Sequence, residues 1–183
     1  MKLGNLLSKK RSVILKRWLD SILETYPADT QRFLKKRNDR FDNPVGHTFS
    51  EQTECLYAEL IDERDIEPAR VSPILDRIIS IRTVQDFSPS QTVAFISALK
   101  RVIREELKGE IRNNDLSDEL LMFYEKIDEM ALIAFDIYMK CREEIFEIRV
   151  NQAKNQISGL LRKKGIICEI PEWSPHKQEG DVP

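Results

Sequence analysis

Residues Arg82–Phe95 read RTVQDFSPSQTVAF, and the fold class turns on what Ser88-Pro89 does between two strongly helical runs. Ser suits the N-cap of a helix, and Pro suits its first turn, where the missing N–H has no partner to lose. Gln91 follows Ser88 by three residues, the spacing of a capping box in which each side chain satisfies a donor near the other's backbone. The pair therefore begins a helix, SQTVAFISALKRVIREEL, and VQDF is the tight corner before it. The same syntax occurs upstream, where Ser72-Pro73 precedes ILDRIISIRTV; that pair predicts another helix start.

Working outward, helical spacing governs the other long segments. Leu15, Trp18, Leu19, Ile22 and Tyr26 recur on one face and predict a first helix from about Leu6 to Thr25, ended by Pro27. ADTQRFLKKRND offers a short helical turn, and Asn43-Pro44 with Gly46 favours a turn. A second helix is expected from about His47 to Asp62, with Phe49, Thr53, Leu56 and Leu60 together. After Gly109 and RNND, a start at Asp115 or Ser117 opens a helix that extends to about Lys163, acidic in its first turn as the helix dipole prefers.

Leu120, Tyr124, Ile127, Ala131, Ala134, Tyr138, Cys141, Ile145 and Ile148 form a heptad seam along that last helix. Between Met130 and Met139 the pattern is apolar nearly all round, so burial on several sides is expected. Only GIICEI has the length and character of a strand, and the C-terminal EIPEWSPHKQEGDVP reads as a loosely docked tail. The expectation is an all-α bundle of five or more helices with a long C-terminal helix. Its core should contain Trp18, Leu56, Ile78, Phe95, Ile103, Phe135 and Tyr138. Residues 1–150 should form the main domain, 151–164 a helix extension and 165–183 the tail.

Length and composition set outer limits. The chain has 183 residues, 41% hydrophobic and 33% charged, with a formal net charge of -2. That suits one globular domain and supplies no bulk cationic field for nucleic acid. No apolar run of membrane-spanning length occurs, and cytoplasmic localisation is the expectation. The basic residues Lys9, Lys10, Arg11, Lys16 and Arg17 read as a solvated helix face. Cys55, Cys141 and Cys168 are widely spaced, without C-x-x-C or a nearby His partner; Cys55 and Cys141 are expected to pack as small hydrophobes.

Catalytic chemistry finds little purchase. His47 and His176 are the two histidines, and no phosphate-binding Gly-rich loop, nucleophile elbow or H-E-x-x-H pattern is present. Glu105-Glu106 and Glu143-Glu144 are sequence neighbours that point about 100° apart on a helix, a poor arrangement for shared acid-base work. No E-x-x-H occurs, which removes the carboxylate-bridged di-metal bundle, and a lone helical His is a weak haem ligand. The expectation is no enzyme activity and no cofactor.

Two segments carry a family resemblance. RNDRFDNPVGHTF (Arg37 to Phe49) and IISIRTVQDFSPSQTVAFISALKRVIREEL (Ile78 to Leu107) resemble the paired motifs of the RsbRD-type N-terminal domain, named for the RsbT co-antagonist proteins of bacterial stress signalling. The resemblance covers roughly Leu6 to Tyr138. It implies an all-helical sensory input module of the kind placed before the output domains of stressosome co-antagonists and some histidine kinases. A globin-like arrangement enters only as an analogy with non-haem sensor domains. No room is expected here for a sulfate-transporter/anti-sigma-antagonist domain or a kinase core.

The resemblance implies a non-catalytic sensory or adaptor protein that works through a partner, such as a signalling kinase, switch protein or respiratory complex, and through a small ligand. A carrier or enzyme accessory protein with a pocket between helices is the alternative. The candidate input or docking residues are Asn43, Pro44, His47, Arg82, Gln85, Asp86, Phe87 and Ser88. At this point they stand equally as structural corners, with Asn43 and Ser88 capping and Phe87 filling the core. A C-terminal helix from Asp118 to Lys163 would span about 68 Å, so a homodimer contact along it is expected.

Overall fold

The computed structural model describes residues 2–35, 41–85 and 87–165, and among these it contains eight helices and no strand. They are α1 Leu3–Lys9, α2 Arg11–Leu23, α3 Ala28–Lys35, α4 Pro44–Ile61, α5 Pro68–Val84, α6 Pro89–Glu106, α7 Lys108–Asn114 and α8 Ser117–Lys163. Contacts divide the chain into two units, Met1–Tyr138 and Met139–Pro183. GIICEI beyond Gly165, the tail, Cys168, Trp173 and His176 lie outside the described residues.

In the first unit α2, α4, α5 and α6 pack around one another, and α1, α3 and the first part of α8 complete the core. Trp18, Leu56, Ile78, Phe95, Ile103 and Tyr138 are buried as the periodicity predicts. Trp18 donates its indole N–H to the Phe95 carbonyl at 2.7 Å, and the two rings stack with centroids 6.4 Å apart. This joins α2 to α6 through a satisfied polar tip and a large apolar contact.

Several expectations need correction. The first helix is two: Lys10 (φ -97°, ψ 13°) separates α1 from α2. Lys10 Nζ binds the Glu106 carbonyl and the Glu110 carboxylate, each at 2.6 Å, while Leu3, Leu6 and Leu7 of α1 reach the core. Ser72-Pro73 does not start α5. The helix begins at Pro68, after an extended Glu67 (φ -108°, ψ 117°), and Pro73 lies inside it. Pro73 there withholds one N–H from the Ala69 carbonyl, a defect the packed helix tolerates. Likewise α4 begins at Pro44, with Asn43 as N-cap.

The C-terminal part also differs in detail. A short α7 intervenes after α6, closed by Asp115 in the left-handed region at φ 49°, a conformation that Asp can adopt. On α8 the buried residues are Phe123, Ile127, Met130, Ala134 and Tyr138. Phe135 is not core but 46% exposed, and Leu132 is 69% exposed. The apolar stretch Met130–Met139 is therefore buried on one side, because a helix docked against a bundle hides one stripe and leaves the others facing outward. Cys55 is exposed rather than packed, and Cys141 is half-buried.

Candidate functional site

Arg82 stands near the C-terminal end of α5 and is 0% exposed. Its two terminal nitrogens each donate to Thr25 Oγ1 at 3.2 Å, and Nη2 also donates to the Gln91 carbonyl at 3.0 Å. The guanidinium lies over the rings of Phe87 and Tyr26, 4.2 and 5.7 Å from their centroids. Its Nε is buried without a hydrogen-bond partner, and among the described residues no carboxylate pairs with it. Burial lowers the Arg82 pKa from its ordinary value, with Tyr26 acting in the opposite sense. Among the described residues the cation thus rests in the core on ring faces and neutral oxygens, an environment suited to guanidinium because it is weakly hydrated and planar.

Tyr26 is the hub. Its hydroxyl donates to Gln85 Oε1 at 2.7 Å, and its ring meets Phe87 edge-on at 5.0 Å and Phe49 at 6.1 Å. Burial raises its phenol pKa. Phe49 belongs to the first motif and Arg82, Gln85 and Phe87 to the second, so the two segments meet through a residue that lies in neither. Ser88 and Gln91 form the expected capping box, with Gln91 N–H donating to Ser88 Oγ at 3.3 Å and Ser88 N–H to Gln91 Oε1 at 3.0 Å. That box also fixes the Gln91 carbonyl that receives Arg82.

Asn43 performs a different task. It is buried, donates to the Leu34 carbonyl at 3.0 Å and to the Phe33 carbonyl at 3.3 Å, and accepts the Gly46 N–H at 2.9 Å. One side chain thereby caps the start of α4 and holds the last turn of α3 against it. Gly46 permits this closeness: a Cβ there would lie 2.6 Å from the Leu34 carbonyl oxygen. Pro44 takes the first helical position, and His47 lies with Asn43 on the wall of a cleft between α2, α3 and α4, about 830 Å³ in volume.

Seven of the eight sequence-derived residues therefore fall into two neighbouring groups. Arg82, Gln85 and Phe87 share the Tyr26 cluster, with Ser88 capping beside it; Asn43, Pro44 and His47 shape the start of α4 and the cleft. Asp86 lies outside the described residues. Sequence reasoning missed Thr25 and Tyr26, although Tyr26 carries a signal, an aromatic directly before Pro27 in the turn between α2 and α3. Of the basic N-terminal residues, Lys10, Arg11 and Arg17 are engaged by Glu110, Glu54 and the Glu105–Glu106 pair. Among the described residues no cluster of metal-ligating side chains gathers, and no helix is long and apolar enough to cross a membrane.

With this geometry in place, comparison with known proteins is decisive. The pattern of the RsbT co-antagonist protein rsbRD N-terminal domain matches residues 12–153. The chain belongs to that family. This rsbRD N-terminal domain spans both motif segments, the Arg82–Tyr26 cluster and the Asn43 clamp, and the family is one of regulatory signalling domains. A protein of Archaeoglobus fulgidus, described only as an uncharacterized protein, is 26% identical over 157 residues, which is 84% of this chain and 90% of the relative. No solved structure matches the chain.

Proposed function

We propose that this rsbRD N-terminal domain protein is a non-catalytic, cytoplasmic sensory or adaptor module of stress signalling that acts by binding another protein. The observation that carries the reading is the family match over residues 12–153. In this reading the cluster of Arg82, Gln85, Phe87 and Ser88 around Tyr26, with the Asn43–His47 corner, is the input region. Asp86 belongs to it by its place in the sequence. An internal cation that, among the described residues, rests on ring faces and neutral oxygens suits that role, since changes in the segments around it all bear on one buried charge.

The output surface in this reading is the first part of α8, where Leu121, Met122 and Leu132 are exposed, and the part beyond Tyr138 pairs with its copy in a second chain. Beyond Tyr138, Met139, Phe146, Ala153 and Leu160 follow one another at intervals of seven residues, and all four are exposed. A heptad repeat of exposed apolar residues supports a helical partner. The test is affinity purification from the native cell with the full chain and with Leu132→Asp, folding being checked by circular dichroism. The expected result is one stoichiometric protein partner retained by the parent and lost by the variant. Equal retention by both would remove α8 from the docking surface, and no specific partner would sink the adaptor reading.

A further inference from the structure

The cleft between α2, α3 and α4 has a divided character that the signalling role does not by itself require. Leu15 and Leu19 are half-buried on its α2 side, and Leu23 and Leu34 close its floor. Its volume of about 830 Å³ falls in the range of small-molecule sites. Two charges on the wall are already neutralised: Asp20 pairs with Lys35 at 3.2 Å, and Glu54 pairs with Arg11 at 2.9 Å. Among the described residues, Lys16, His47 and Ser50 of the same wall have no side-chain hydrogen bond or ion pair. Thr53 Oγ1, also of this wall, is buried without a partner. What is left after internal pairing is thus one ammonium, an imidazole and hydroxyl donors above a floor of leucines.

The geometry points to this cleft as the binding site for a small organic anion with an apolar body, its carboxylate held by Lys16, His47 and Ser50 and its chain lying on Leu15, Leu19, Leu23 and Leu34. Charge complementarity selects the anion: with Asp20 and Glu54 engaged, Lys16 is the unmatched charge among the described residues of the wall, and a cation would meet it without compensation. The apolar floor selects against a simple inorganic ion, which would leave the leucines hydrated. Asn43 and Gly46 form the wall where α3 clamps α4, and Phe49, one turn along from that corner, touches Tyr26. An occupant therefore bears directly on the helix that carries one side of the buried aromatic cluster.

This inference supplies a ligand class for the proposed sensory role and rests on that reading only for its biological use. Isothermal titration calorimetry of the full chain with octanoate, octylamine and 1-octanol tests it. Octanoate is expected to bind with a dissociation constant of about 1 mM or below. Octylamine and octanol should bind at least about tenfold more weakly. Lys16→Ala with His47→Ala should weaken octanoate about tenfold or more. Leu19→Trp, which fills the cleft while leaving its charges, should abolish binding, with circular dichroism verifying the fold of both variants. Absence of octanoate binding, equal binding of the amine, or unchanged affinity in the double variant would overturn the site. Partner capture through α8 is read in a separate assay, so failure of the cleft leaves the adaptor reading standing, and the reverse also holds.

Discussion

The guanidinium carbon of Arg82 lies 4.2 Å from the centre of the Phe87 ring, and both belong to the segment that turns from α5 into α6. The charge is therefore sequestered where α5 gives way to α6. Replacing Arg82 with Ala would leave a void and strip the Gln91 carbonyl of its side-chain donor. The expected loss is about 3 kcal/mol in urea unfolding. Arg82→Met retains most of the volume and removes the buried charge, so it should cost about half as much or less. An Ala variant within about 0.5 kcal/mol of the parent would show that Arg82 has no structural grip on the corner.

Gly46 gives a sharper steric test. Its missing Cβ lets Asn43 and the Leu34 carbonyl close on the start of α4, so Gly46→Ala must push α3 and α4 apart, at a cost of about 1–3 kcal/mol. Gly109 in α7 has nothing within 4 Å of the position a Cβ would take, and Gly109→Ala should be neutral or stabilising by up to about 1 kcal/mol. Thermal unfolding of the two variants should give shifts of opposite sign or of clearly different size. Equal shifts would mean that the α3–α4 clamp is not tight.

Helix starts were the most legible feature of the sequence because their chemistry is local: Ser88, Pro89 and Gln91 carry the whole instruction within four residues. The same rule misassigned Ser72-Pro73: the helix starts at Pro68 although Glu67 before it makes no side-chain cap, and the packed core of α5 absorbs the hydrogen bond that Pro73 withholds. Phe135 failed for a different reason. Composition around Met130–Met139 says that several faces are apolar, but only tertiary contact chooses which face is hidden, and it chose Met130, Ala134 and Tyr138. The Arg82 cluster was half legible. Its α5–α6 members are contiguous in sequence, whereas Thr25 and Tyr26 reach it from more than fifty residues away.

Tyr57 predicts an alkaline weakness. Its hydroxyl donates to the Leu7 carbonyl at 3.0 Å inside the core, and burial pushes its phenol above the ordinary range despite the nearby Arg11. The unfolded chain gives up this proton near about pH 10, while the folded chain retains it. Stability is thus complete below that pH and falls as pH rises further, by up to about 1.4 kcal/mol per pH unit for one phenol. Tyr57→Phe should cost about 1 kcal/mol at neutral pH through the lost hydrogen bond, yet show a shallower alkaline decline. Parallel stability curves for the two proteins would exclude Tyr57 as a source of the dependence.

Pairing of α8 with a second copy carries a prediction of both strength and orientation. In the second unit Ile157 and Leu160 are 50% and 65% exposed, and covering that remaining surface contributes about 1–2 kcal/mol each. Beyond residue 150 the helix carries Lys154, Arg162 and Lys163 and no acid, whereas the preceding stretch mixes Glu143, Glu144 and Glu147 with Lys140, Arg142 and Arg149. A parallel pair would set the two basic stretches side by side, whereas an antiparallel pair sets the basic stretch of one helix along the Glu-bearing stretch of the other. The full chain should be dimeric in sedimentation equilibrium at micromolar concentration, and Ile157→Asp or Leu160→Asp should raise the dissociation constant at least about tenfold. Added salt separates the orientations, because screening removes attraction from an antiparallel pair and repulsion from a parallel one. Weakening of the dimer as salt rises is the expected result; strengthening would reverse the orientation, and a monomer throughout would end the claim of self-pairing.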